Sequence, residues 1–478
     1  MKSIFDIKIA ISLIIFTIII FGIGYILFGV YTINFSWFFS QLLVIVFFAV
    51  GSYVFISNTK NLSEKKFIRR IFFWSLFFHV IIVFFNYYIF IKINGIPFFA
   101  TNDPYAYYTW GELVETNFKQ GNFNVLNFFP NAPISDLGGK VYYGVIYYLF
   151  GWTGIKIIIA RLFNALFTSL TIVYFYKIIR FFNDVEVARR AAIFYMFFPL
   201  FILHAGMNFK EPFFMFLIMQ SIYQSHKIFL VKNYSMINVF LLIIFILSTF
   251  FFRSVIGPVL IFSLSGLILF NLKNKLNIIS ASIIVIIFLT TLAAYQTLFK
   301  SDIESATNIS TEKSVKSLVY QAKGSGTGKL VANNLMSTPV MAVITFISPF
   351  PTIIQKKSQM YSEHLGVNIY ISPAIIKIFF GFWMAMGIYI VFKETIKQNI
   401  FILLFFFSYL AVIVISLTSF KIRYQMPILP FFLYFATIGM KSYKKYFTMF
   451  LLFLLIMTII ILYYNYKKIS SFGIFIPL

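Results

Sequence analysis

The sequence predicts an all-α, polytopic membrane protein, and three observations carry that expectation. Of its 478 residues, 60% are hydrophobic and only 11% charged, with a mean hydropathy of +0.90, far more apolar than a soluble domain. The apolar residues form continuous runs close to the roughly 20 residues a helix needs to cross a bilayer, not the alternating segments of about ten residues that build a β-barrel. Lysines and arginines cluster in short stretches that fall on one side when the runs are laid alternately across a membrane.

In chain order, about thirteen spans of helical length are expected, over residues 9–28, 37–56, 71–91, 155–175, 191–205, 213–230, 236–252, 257–271, 278–299, 372–392, 400–416, 428–440 and 448–464. The first eight residues lead into a long span with no small-residue cleavage site, so it reads as a retained helix and not a signal peptide. The stretches KNLSEKKFIRR (60–70), NDVEVARR (183–190), NLKNKLN (271–277) and KSYKKY (441–446) share one side, which the positive-inside rule makes the cytoplasm. Two long loops then face outward, giving five regions: N-terminal helices (1–93), a first outer loop (94–142), core helices (143–299), a second outer loop (300–370) and C-terminal helices (371–478).

In the first outer loop, TNDPYAYYTWGELVETNFKQG (101–121) places Tyr105, Tyr108, Leu113 and Val114 on one helical face, which predicts an amphipathic helix lying on the membrane surface. The second loop holds STPVMAVITFISPFPTII (337–354), apolar but broken by prolines, and reads as a re-entrant or interfacial segment. KGSGTGKLV (323–331) imitates a phosphate-binding loop, but Lys323 stands where the first Gly belongs and Leu330 replaces the Ser or Thr, so it reads as a loop.

The chain has no cysteine, which excludes disulfides and thiolate metal sites. Its formal charge of +25 suits basic cytoplasmic loops against anionic lipid, with no nucleic acid as partner.

Only 14 residues are Asp or Glu, so each can be placed. Asp6, Glu64, Asp184, Glu186 and Glu394 fall on the basic side. Asp103, Glu112, Glu115, Asp136, Glu211, Asp302, Glu304, Glu312 and Glu363 fall on the other. Chemistry needing a carboxylate is therefore expected outside. Lys210 and Glu211 sit at an outer corner before Pro212, either as a solvated turn or as part of a site in which Glu211 joins Asp103. Such a pair would activate an acceptor hydroxyl or amine, or hold a divalent metal such as Mg or Mn through oxygen ligands.

Arg253, Lys421 and Arg423 stand on the outer side against the charge trend. They are read either as headgroup anchors or, with Lys210, as ligands of a phosphate. Arg161, just inside a span, is read as a buried partner for a carboxylate or as a snorkelling helix end. Tyr107, Tyr108 and Trp110 would stack on a sugar or line the interfacial belt; Glu363 and His364 are further substrate-binding candidates.

The order of TNDPYAYY, GGKVYYGVIYYLFG (138–151), ARLFNALFTSLTIVYFYKIIRFFNDVEVARRAAIFYMFFP (160–199), FKEP (209–212) and RYQMPILPFFLYFA (423–436) resembles the GT-C integral-membrane glycosyltransferases, and among them the protein O-mannosyltransferase and aminoarabinose-transferase relatives of family 39. The resemblance implies transfer of a sugar from a polyprenyl-phosphate carrier to a glycan, lipid or protein acceptor on the extracytoplasmic face of a bacterial inner membrane. It implies that Asp103 is the first-loop catalytic carboxylate, that Glu211 is the acidic residue of the next outer loop, and that Arg253 and Arg423 meet the donor phosphate. The chain departs from the family in about two extra spans before the first large loop and in a Lys-Glu pair where relatives carry Asp or Asp-Glu. A polysaccharide polymerase or ligase, and a lipid or solute transporter, are the competing expectations.

Overall fold

The computed structural model describes residues 2–29, 35–98, 103–129, 136–271, 350–353, 370–415 and 422–471. Among these there is no strand, as expected of backbone that must satisfy its own hydrogen bonds in lipid. The helices are α1 (Lys2–Phe28), α2 (Phe35–Thr59), α3 (Glu64–Asn94), α4 (Asp103–Lys119), α5 (Val125–Phe128), α6 (Leu137–Phe150), α7 (Lys156–Arg180), α8 (Val185–Phe197), α9 (Pro199–Ala205), α10 (Glu211–Phe229), α11 (Met236–Phe252), α12 (Ile256–Asn271), α13 (Ile371–Glu394), α14 (Ile396–Ile415), α15 (Ile422–Gln425), α16 (Leu429–Gly439) and α17 (Tyr443–Ser471). The expected span 278–299 and the 323–331 loop lie outside the described residues, as does all of 337–354 except 350–353.

Six stretches among the described residues are long and apolar enough to cross a membrane: Ile7–Phe28, Ser36–Thr59, Glu64–Asn94, Lys156–Arg180, Ile371–Glu394 and Leu429–Lys467. Met236–Phe252, Ile256–Leu269 and Gln398–Val414 are shorter apolar helices.

Three expectations change. The run 191–205 is not one helix: α8 stops at Phe197, Phe198 is extended, and Pro199 opens α9, because proline drives the residue before it out of the helical region. The stretch 94–142, expected to hold one helix, holds more: the helix expected within 101–121 forms as α4, and α5 and the start of α6 follow it. In α4 the buried face is Pro104, Tyr107, Gly111, Val114 and Glu115, whereas Tyr105 and Leu113 are exposed. That face packs on α6, where Gly144 admits Val114: a Cβ there would lie 2.3 Å from Val114 Cγ1.

The centre of the bundle is built by α7, α10, α13 and α16, which bury most of their side chains. The tightest crossing joins α13 to α16. A Cβ on Gly387 would lie 1.8 Å from the Phe435 carbonyl oxygen, and one on Gly439 would lie 2.0 Å from that of Trp383. Small residues let helix backbones approach where apolar burial alone does not drive association in lipid. The outer helices turn Phe77, Phe85, Leu452 and Ile459 outward, as a lipid-facing surface requires.

Charge gathers at the two ends of the bundle. At one end Arg180 pairs with Glu64 at 2.8 Å and Lys441 with Asp184 at 2.6 Å, while Asn183 donates to the Tyr434 hydroxyl at 2.6 Å. At the other end stand Asp103, Glu211, Arg253 and Arg423, linked by ion pairs in one chain, and the separate pair Lys210–Asp136.

Candidate functional site

Three chain breaks bring the charges of that second end together. Glu211 opens α10, its position set by Pro212 in the first turn, where a missing N–H costs nothing. Arg253 caps the C-terminus of α11 in an extended conformation, its N–H donating to the Thr249 carbonyl at 3.0 Å. Arg423 lies on the single turn α15, ahead of Pro427 and α16.

Their side chains converge on Glu211 Oε1. Arg423 Nε donates to it at 2.6 Å and Arg253 Nη2 at 3.3 Å. Arg423 Nη1 donates to Asp103 Oδ2 at the start of α4. One guanidinium thus joins the start of α4 to the start of α10. Arg253 also donates to the Tyr409 hydroxyl at 3.1 Å, and that hydroxyl donates to the Tyr424 carbonyl at 2.9 Å. The guanidinium of Arg423 rests 5.0 Å from the Phe209 ring and that of Arg253 rests 4.8 Å from Tyr424, contacts that hold a cation without neutralising it.

The two carboxylates differ in access. The Glu211 side chain is 2% exposed and that of Asp103 is 53% exposed. Burial opposes ionisation of Glu211, but Arg423 and Arg253 overcome it and hold its carboxyl down to about 2. Glu211 Oε2 is buried with no hydrogen-bond partner, as are both ring nitrogens of His204 on α9.

The turn that carries Lys210 and Glu211 is fixed from below. Asn164 on α7 donates to the Tyr143 hydroxyl and to the Met207 carbonyl, each at 2.9 Å, and accepts from Tyr142 at 2.9 Å. Tyr143 donates to the Phe209 carbonyl at 2.9 Å. Arg161 is fully buried and donates to Asn208 Oδ1 at 2.7 Å and to the Pro97 carbonyl. Its partners are neutral amides, not the carboxylate expected of it, and it does not snorkel.

Of the other expected site residues, Lys210 turns its ammonium to Asp136. Tyr107 is buried against Tyr143 and Trp110, with Lys210 5.9 Å over its ring, and so borders the site. Tyr108 points elsewhere, donating to Glu112 beside Lys156. Lys421, Glu363 and His364 lie outside the described residues. Sequence reasoning missed Asp136 as the partner of Lys210, Tyr409 as a ligand of Arg253, and Asn164 and Asn208 as the pins of the turn. A polar amide inside an apolar run was the available signal for Asn164.

These residues do not fit a divalent cation. Asp103 and Glu211 are bridged by Arg423, and a guanidinium between two carboxylates supplies the charge a metal would. Among the described residues no group of three or more His, Asp or Glu side chains assembles to hold one.

The fold and the site together define a helical, membrane-embedded protein with a cluster of paired carboxylates and cations at one end of its bundle. Compared with known proteins, the chain matches no family model and no curated sequence at a significant level.

Proposed function

We propose that the chain is a membrane glycosyltransferase of GT-C type, with about thirteen spans, which transfers a sugar from a polyprenyl-phosphate donor to a glycan, lipid or protein acceptor. The charged end with Asp103 and Arg423 faces outward from a bacterial inner membrane in this reading. The observation that carries it is the convergence of Arg423 and Arg253 on Glu211 while Arg423 also reaches the exposed Asp103.

Each part has a task. A prenyl phosphate brings its anion to headgroup depth, where two guanidiniums meet phosphate oxygens bidentately. The buried Glu211 holds both guanidiniums in place. The acceptor O–H or N–H attacks the anomeric carbon, the bond from that carbon to the phosphate oxygen breaks, and the proton passes to the Asp103 carboxylate. The charge left on the prenyl phosphate is stabilised by Arg423 and Arg253.

The test is transfer of labelled sugar from a purified polyprenyl-phosphate donor by the reconstituted protein. Product whose label has moved from prenyl phosphate to acceptor supports the reading. Counterflow of an unmodified solute without any bond cleavage would make the protein a transporter instead.

A further inference from the structure

We propose that Lys377, buried within α13 and unused in the reaction above, is a positioning residue: through Gln425 it holds the turn α15 so that Arg423 faces the donor phosphate. The phosphate as ligand of Arg423 comes from the proposed function; the hold of Lys377 on α15 stands apart from it.

Lys377 lies in the second turn of α13, on the stretch Ile371–Glu394 that is long and apolar enough to cross a membrane. That is roughly 9 Å along the helix axis from its start. Tyr370, just before α13, is within electrostatic reach of Arg423, Glu211 and Asp103, so Lys377 is rooted below the charged end and not within it. The residue is 3% exposed. An ammonium at such a depth is costly, and membrane spans keep one mainly where it serves a function. Its Nζ donates to Gln425 Oε1 at 2.5 Å and stands 6.0 Å from the Phe432 ring of α16. The support is rigid, because α13 and α16 make the tightest crossing of the bundle.

The turn it holds cannot hold itself. Ile422–Gln425 is far too short to be a stable helix alone, so its direction is set from outside. Tyr409 donates to the Tyr424 carbonyl at 2.9 Å, and Lys377 anchors the side chain of Gln425, which is fully buried. Residues two apart on a helix project about 200° apart. Anchoring Gln425 into the bundle therefore turns Arg423 the other way, where its Nε meets Glu211 at 2.6 Å and its Nη1 meets Asp103. A hydrogen bond from an ionised donor is roughly twice as strong as a neutral one, which suits an ammonium to this anchor.

Two measurements on the full chain in nanodiscs test this. The first is the nitrogen–proton NMR signal of Arg423 Nε, identified by its loss in Arg423→Lys. Lys377→Met, which keeps the bulk and removes the donor, should shift it. The second is calorimetric binding of a short-chain prenyl phosphate. Lys377→Met should weaken it about tenfold, the scale of one hydrogen bond to a charged group, with a thermal midpoint near wild type. Gln425→Met should do the same, and the double variant should lose about tenfold and not about a hundredfold, because both substitutions cut one link. An unchanged Arg423 signal, unchanged affinity, or losses that multiply in the double variant overturn the proposal. A Lys377→Met midpoint that falls along with affinity assigns the residue to stability alone and overturns it too. Should wild type bind no prenyl phosphate while Lys377→Met still shifts the Arg423 signal, the hold on α15 stands and the glycosyltransferase reading falls.

Discussion

Arg423 and Glu211 lie 212 positions apart in the chain and meet through Nε and Oε1 at 2.6 Å, at the one place where Arg423 also reaches Asp103. The shared guanidinium joins carboxylates of different access, and in the proposed reaction the buried one orients the cation while the exposed one meets the acceptor. Asp103→Asn should therefore lower sugar transfer by about 10²–10⁴-fold, the usual contribution of a general base, with expression and thermal midpoint near wild type. Turnover within a few-fold of wild type would remove Asp103 as the base.

Glu211→Gln should act on stability as well as on activity. It leaves Arg253 without its carboxylate partner and Arg423 with only the exposed Asp103, a loss of about 3–5 kcal/mol for a broken buried pair. The sign with pH follows from the lowered carboxyl. A folded value of about 2 against an ordinary 4.5 means that the stabilisation is fully present above 4.5 and is lost as the pH falls through 2. Thermal unfolding in detergent should show wild type losing midpoint below pH 4.5 and the Gln variant losing less. Parallel curves for the two would refute the linkage.

Much of this site was legible because charge is scarce in so apolar a chain. Placing each carboxylate by side put Asp103, Glu211, Arg253 and Arg423 on one face, and the alternation of basic stretches fixed the opposite end where Arg180 and Lys441 pair with Glu64 and Asp184. Pairings were not legible. That Lys210 chooses Asp136 over Glu211 depends on how α6 meets the 206–210 turn, a relation between segments far apart in sequence. The buried face of α4 was misjudged because hydropathy does not separate Tyr107 from Tyr105 and ranks Gly111, which is buried, below Leu113, which is exposed. What decides that face is the close approach of α6, which a glycine permits. The break at Phe198 was visible in principle, since Pro199 follows it, but a continuous apolar run concealed it.

The 206–210 turn should be sensitive to its buried amide. Asn164→Leu removes the donor to Tyr143 and Met207 and the acceptor for Tyr142, leaving buried polar groups unpaired at a cost of about 1–3 kcal/mol. A lowered thermal midpoint together with weakened donor binding is the expected result. A variant of wild-type stability would show that the network is replaced by water.

Because Arg423 already bridges the two carboxylates, transfer should not require a divalent cation. Incubation with EDTA, followed by the labelled-donor assay, should leave the rate unchanged. A loss restored by Mg or Mn would mean that Asp103 and Glu211 rearrange to bind metal when substrate is present.

The exposed pairing of Asp103 with Arg423 has a further consequence for donor binding. In the structure Asp103 occupies a donor group of the guanidinium that the phosphate would use, so phosphate and carboxylate compete for it. In the proposed reaction, arrival of the donor would free Asp103 to accept a proton, so that the base would be available only once a sugar is in place. Since the Asp103 side chain is 53% exposed, the competing pair is weak, in the range of about 0.2–1 kcal/mol for surface ion pairs. Asp103→Asn, though inactive in transfer, should therefore bind a short-chain prenyl phosphate more tightly than wild type, by up to about fivefold. Isothermal titration calorimetry on the two proteins in the same detergent measures this directly. Equal or weaker affinity in the Asn variant would show that Asp103 does not hold Arg423 against the phosphate, and the coupling between donor arrival and release of the base would be lost.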